Sequence, residues 1–324
     1  KMGKGFSNLT SLFAIGCLEA IWAPVIPYVK RAFELDEAQL GLMLLCPGLG
    51  SFLVVPFAGS LCKHYGVKPL VYISLLLAAL ALMVVGLNIS PWLTAFLLVI
   101  FGVCLGIIDV SSNVNAVVLE KMMQKPLMSG FHGGYSVGTL VGAASTTLLL
   151  TLNVSLILTV FLLVTVLLLY ALWGCRYLLR KDELSAITAD NCQQSTINSQ
   201  KSIFAFVPPL VLVVGALCFI MYASEGAVMS WSSVYAHQEL NVDIRYAGYV
   251  YAAFAVTMTC MRLLGNKIVV RFGAGRVVVA GGVIVTCGFL VVAFVHTIAA
   301  CIVGFAMVGF GAANIVPQLI SYAG

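Results

Sequence analysis

Asp109, Asn113 and Glu120 recur at helical spacing inside a long apolar run, with Ala116 completing the stripe. After a short basic turn, His132, Ser136 and Thr139 make a second stripe. Acids, amides and imidazole exchange protons and hydrogen-bond polar solutes. An acid near mid-bilayer costs about 2.5–3.5 kcal/mol, so such groups face a bundle interior or a wet cavity. Two accounts of Asp109 stand: a polar residue pinned by neighbouring helices, or part of a solute or proton site. Glu19 lies about 12 residues, or about 18 Å, into the first apolar segment, and Glu225 lies inside a later one. Each is either a proton carrier or a permanent helix–helix hydrogen bond. His132 is a relay partner to Asp109, a donor to solute hydroxyls, or a satisfied polar residue.

The elements that must position these groups follow from composition. The chain is 324 residues long, 61% hydrophobic and only 9% charged, with a mean hydropathy of +1.07. Soluble domains carry about 25% charged residues, so this is a membrane protein with the lipid bilayer as its partner. The net charge of +5 is spread between apolar segments rather than gathered in a patch, which excludes a nucleic-acid partner. The ten cysteines show neither C-x-x-C nor zinc spacing, so no metal site is expected. The first apolar segment is too long for a cleavable signal peptide.

A span needs about 20 residues at 1.5 Å each. Ten segments qualify, near 7–28, 38–61, 69–88, 92–120, 127–150, 154–178, 204–235, 244–265, 276–295 and 298–320. With the N-terminus inside, 14 of the 17 lysines and arginines fall on the cytoplasmic side, leaving Lys30, Arg31 and Arg245 outside. The polar stretch 179–203 reads as a mobile cytoplasmic linker. It separates an N-terminal bundle, 1–178, from a C-terminal one, 204–324. Sliding the chain by about 207 residues lays Gly66 on Gly273 and Leu40-Gly41 on Ala247-Gly248, and Glu19 nearly meets Glu225. Repeated halves are a transporter signature, with the site expected between them near the midplane.

Other motifs carry less. Gly130, Gly134, Gly138 and Gly142 recur every fourth residue and predict close helix packing. Gly134-Tyr135-Ser136-Val137-Gly138 has the spelling of a nucleophile elbow, but it lies inside a spanning helix without the strand–turn–helix that chemistry needs. There is no P-loop, H-E-x-x-H or strand-borne G-x-G-x-x-G, so neither an enzyme nor a cofactor is expected. Trp22, Tyr28, Trp231 and Tyr235 are either interfacial anchors or stacking faces for a sugar ring. Arg262, Arg271 and Arg276 read as anchors at the cytoplasmic edge.

The stretch Gly59-Ser60-Leu61-Cys62-Lys63-His64-Tyr65-Gly66-Val67-Lys68 resembles the loop motif G-x-L-a-D-r-x-G-r-K of the major facilitator superfamily. The glycines, the leucine and Lys68 match. Lys63 replaces the acid that helps lock the cytoplasmic gate. Further stretches, Asp109 to Asn113, Phe131 to Gly138, Glu225-Gly226-Ala227 with Trp231-Ser232, and Gly311 to Pro317, are similar to the branch of sugar permeases around the L-fucose/proton symporter. That resemblance implies an all-α, polytopic fold of two six-helix bundles, of which this chain would lack the last two helices. It aligns Asp109 with an acid of that symporter and His132 with a solute-contacting asparagine. The symporter's proton-linked acid falls at Ala23, one turn beyond Glu19, so the coupling acid and fucose itself are not carried over.

These readings predict a monomeric secondary transporter of the bacterial inner membrane, its N-terminus cytoplasmic, moving a small polar solute with protons. Asp109, Asn113, His132, Glu225, Trp231 and Asn314 would bind the solute, and Glu19 or Asp109 the proton. Gly59, Lys63, Gly66, Lys68, Arg262, Arg271, Gly273 and Arg276 would serve the gate. A solute sensor with a transporter's fold, or an efflux pump, are the alternatives; the acids within spans argue against efflux.

Overall fold

The computed structural model describes residues 2–123, 127–183 and 209–323, in which there are helices and no strands. The chain folds as two compact units, Lys1–Ile197 and Asn198–Gly324. The first holds α1 (Met2–Ala32), α2 (Glu37–Tyr65), α3 (Val67–Val85), α4 (Pro91–Met123), α5 (Met128–Thr151) and α6 (Leu156–Gly174). The second holds α7 (Pro209–Gln238), α8 (Gly248–Phe272), α9 (Ala274–Phe294), α10 (Ile298–Ala312) and α11 (Ile315–Ala323). Among the described residues, eight helical stretches are long and apolar enough to cross a membrane. Helices α5 and α8, at 24 and 25 residues, are long enough but fall outside that set. They carry His132 and the hydroxyls of the second stripe, and Arg262 and Lys267.

In the first unit α1 packs along α5, α2 along α4, and α3 against both α4 and α6. The α1–α5 seam is close because α5 offers small residues. A Cβ on Gly134 would strike the Leu9 side chain, one on Gly138 the Phe13 carbonyl, and one on Gly142 would lie 2.6 Å from the Cys17 carbonyl. Gly130 departs from the expected stripe, because a Cβ there meets nothing within 4 Å. The outward faces of α2, α3 and α6 expose Phe52, Phe57, Ile73 and Leu169, the surface that lipid requires.

The repeat is present in the backbone. Gly66 and Gly273 both take positive φ, 85° and 82°, a region closed to most side chains. Each donates its amide four residues back, to Cys62 at 2.9 Å and Val269 at 2.8 Å, and each is followed at once by the next helix. Gly102 of α4 meets the Pro47 carbonyl of α2, and Gly309 of α10 meets the Phe254 carbonyl of α8. All four correspondences share one offset of 207 positions.

Two expectations need refining. The tenth segment remains a candidate span, Ile298–Leu319, but it is not one unbroken helix: Ala313 and Asn314 interrupt it between α10 and α11. Pro317 explains the break, since it lacks an N–H and its ring would clash with the Ala313 carbonyl of a continuous helix. Nor is the linker free from residue 179. Leu178 and Leu179 are buried; the Leu179 amide donates to Asn115 Oδ1 at 3.3 Å and its carbonyl accepts from the Lys68 amide at 3.0 Å. Lys4 Nζ then meets Glu183 Oε1 at 2.7 Å. Residues 175–183 are therefore a strap docked on the first unit, and the rest of the linker lies outside the described residues.

Candidate functional site

Three helices of the first unit bring polar groups together. Glu19 is mid-way along α1, and the Tyr135 hydroxyl of α5 donates to its Oε2 at 2.5 Å. Gly16 makes this approach possible, because a Cβ there would strike the Tyr135 carbonyl. On α4, Asn113 Nδ2 donates to Asp109 Oδ1 at 3.1 Å, one turn along the same face. Asp109 lies within electrostatic reach of both Glu19 and His132, while the His132 side chain is exposed. The Ser136 hydroxyl turns back to the His132 carbonyl, and that of Thr139 to the Tyr135 carbonyl. Two of the three second-stripe residues thus satisfy their own helix. Glu120 lies in the last turn of α4, and its Oε1 accepts from the Leu127 amide at 2.6 Å.

Below this cluster lies a buried network that no sequence pattern announces. Ser11 and Ser112 share a hydrogen bond at 2.8 Å, and Asn115 Nδ2 donates to Asn8 Oδ1 at 2.9 Å. Ser7 donates to the Gly174 carbonyl at 2.6 Å and accepts from the Tyr177 amide at 3.1 Å. Isolated serines and asparagines in apolar helices give no signal by themselves; these become legible only once α1, α4 and the strap are placed. Tyr135 escapes sequence reasoning for the same reason, standing in the sequence as one more aromatic.

The second unit has its own cluster. Arg262 stands in the middle of α8, and its Nη2 lies 3.3 Å from Glu225 Oε2 of α7. Both side chains are mostly buried, 22% and 17% exposed. A mostly buried arginine in a membrane domain pairs with acids or carbonyls, and Glu225 is one such partner. Asn314, at the break between α10 and α11, donates from Nδ2 to the Met261 carbonyl at 3.0 Å. Its Oδ1 fills the space above Gly265 where a Cβ would clash. The expected solute ligand is thus already engaged in pinning the broken helix to α8. Trp231 is half-buried, next to the fully buried Ser232 and Ser233.

The two loops of the repeat differ in surroundings. A Cβ on Gly66 would lie 2.5 Å from the Lys181 amide, and Lys68 Nζ donates to the Arg176 carbonyl at 2.7 Å, so the strap covers the first loop. Gly273 has nothing within 4 Å, and Arg271 and Arg276 are exposed, as is Lys63. Gly59 also has open space around it.

The profile of the Major Facilitator Superfamily matches residues 9–324. An MFS-type transporter of Yersinia pestis is 34% identical over 318 residues, which cover 98% of this chain and 79% of that protein. Among solved structures, a mutant of the nucleoside transporter NupG superposes with a TM-score of 0.72 at 12% identity, covering 98% of this chain and 82% of that one. A D-xylose–proton symporter gives 0.70 at 13% identity, covering 98% and 81%. At such identities these two establish the shared fold.

Proposed function

The chain belongs to the Major Facilitator Superfamily, a family of multi-pass membrane transporters, and from that premise we propose that it moves a small polar solute, a sugar or related metabolite, together with protons. The observation that carries this reading is the convergence of Glu19, Tyr135, Asp109 and Asn113 from α1, α4 and α5. Acids inside a membrane domain are expensive, and they mark solute pathways and proton relays. In the proposal Glu19 and Asp109 exchange the proton, and Asn113 and His132 meet solute hydroxyls. The likeness of the D-xylose–proton symporter's fold and the fucose-permease-like stretches support a sugar-type solute. The proposed setting is a bacterial inner membrane with the N-terminus cytoplasmic and the chain monomeric. Binding of proton and solute drives reorientation only so far as both prefer the same conformation.

The test uses purified protein in vesicles carrying a pH-sensitive dye, challenged with sugars and small polar metabolites one at a time. A solute that alkalinises the outside should stop doing so in Asp109→Asn, while exchange of labelled for unlabelled solute persists. Unchanged uphill uptake in that variant would remove Asp109 from the coupling role. One observation favours a second reading, a solute sensor: Lys63 stands where the loop motif has its gate-locking acid. That reading expects solute binding without flux.

A further inference from the structure

An arginine placed in mid-helix within a membrane domain needs a reason beyond cohesion. In packing terms the Arg262–Glu225 pair is a poor structural bridge. The contact between Nη2 and Oε2 is long, 3.3 Å, against about 2.7–2.9 Å for a good charge-assisted bond. The second carboxylate oxygen, Glu225 Oε1, is buried and hydrogen-bonds to nothing among the described residues. A pair kept for stability gains only if its remaining lone pairs are satisfied. Here they are not, so the pair holds Glu225 in place without matching it.

Arg262 itself suits an anion. Asn314 fastens the start of α11 to α8 at Met261, the residue next to Arg262. Arginine's planar fork fits a carboxylate in two-point fashion. About a fifth of each side chain in the pair is exposed.

We propose that Arg262 binds a carboxylate of the solute, and that Glu225 occupies this place as an internal stand-in until the solute displaces it. The solute class is then a hydroxylated carboxylate, a sugar acid rather than a neutral sugar. The inference rests on the transport reading only in taking this ligand to be the transported solute.

The test uses the full chain, purified and reconstituted, with D-gluconate and D-glucuronate set against the neutral D-glucitol and D-glucose. At least one sugar acid should raise the melting temperature, and its neutral counterpart should not. Glu225→Gln removes the charged competitor and should tighten sugar-acid binding about tenfold. Arg262→Gln should abolish binding. Arg262→Lys, which keeps a charge opposite Glu225 and so guards against misfolding, should weaken it. The proposal is overturned if Glu225→Gln leaves affinity unchanged, if the neutral counterpart binds as well, or if no sugar acid stabilises either wild type or Glu225→Gln. The two readings fail separately. Arg262-dependent binding with no proton movement would overturn the proton coupling and leave the anion site. Proton uptake driven by a neutral sugar and indifferent to Arg262→Lys would do the reverse.

Discussion

Two members of one glycine stripe should respond to the same substitution with opposite sign. At Gly142 an added Cβ would lie 2.6 Å from the Cys17 carbonyl oxygen. Carbon–oxygen contacts between packed helices settle at about 3.3–3.6 Å, so Gly142→Ala forces α1 and α5 apart by about 0.7 Å. Overpacking of this kind costs about 1–3 kcal/mol, against about 0.8–1.0 kcal/mol gained from alanine's helix preference. The net effect is a loss of up to about 2 kcal/mol. At Gly130 there is nothing within 4 Å, and Gly130→Ala keeps only the gain. The two variants should therefore differ by about 1–3 kcal/mol in reversible unfolding from mixed micelles. A functional effect accompanies the first, because the seam also sets the Tyr135–Glu19 bond, now 2.5 Å. A parting of about 0.7 Å carries it beyond the roughly 3.0 Å limit of a good O–H···O bond. Proton-linked uptake should fall in Gly142→Ala and persist in Gly130→Ala. If the Gly142 variant were as stable and as active as the Gly130 variant, the reasoning about the seam would be wrong.

Two more perturbations follow from named contacts. Tyr135→Phe deletes a hydrogen bond to an acid, worth about 1.5–3 kcal/mol; proton-driven accumulation should drop about 10–100-fold while solute exchange is spared, and equal loss of both would assign Tyr135 a packing role. The strap should be acid-labile. The hydrogen bond from Lys4 holds the Glu183 carboxyl below the ordinary glutamate range. A depressed value adds stability above about pH 4.3, which is lost as pH falls through the lowered value. Hydrogen exchange in residues 178–183, corrected for its intrinsic rate, should therefore rise on acidification, and Glu183→Gln should already be loosened at neutral pH. A strap protected alike at neutral and acid pH would refute the assignment.

The architecture was legible in the sequence because lipid makes its rules strict. Every backbone group must be satisfied within a helix, so apolar runs of the right length have few alternatives. The 207-residue offset was visible at Gly66 and Gly273 because positive φ leaves few substitutes for glycine, and the structure extends it to Gly102 and Gly309. What stayed hidden depends on pairing between distant residues. Pro317 disturbs a helix by its nature, yet the break falls a few residues earlier, where Asn314 meets Met261. The stretch after residue 178 reads as polar linker by composition, but the partner that docks it, Asn115, lies 64 positions away on α4. The partner of Arg262, Glu225, lies 37 positions away on α7, beyond the reach of any local pattern.

The partners chosen for the three acids divide the chemistry between the units. Glu19 is held by a phenol and Asp109 by a carboxamide. A phenol can donate to a carboxylate or accept from a carboxylic acid, and a carboxamide can do both. Either acid can therefore change protonation state and keep its hydrogen bond, with no reorganisation beyond the rotation of an O–H or an amide. Glu225 faces a guanidinium, which has donors and no acceptor. That partner serves a carboxylate, its own or a solute's, and has nothing to offer the hydroxyl of a carboxylic acid. Under the proposed function the first unit is thus built to let its acids titrate and the second to hold an anion. Replacing Tyr135 by a donor-only side chain, Tyr135→Lys, should then freeze proton exchange at Glu19 while leaving sugar-acid binding at Arg262 intact. Loss of that binding in Tyr135→Lys, with the fold preserved, would show that the two chemistries are not separable in this way.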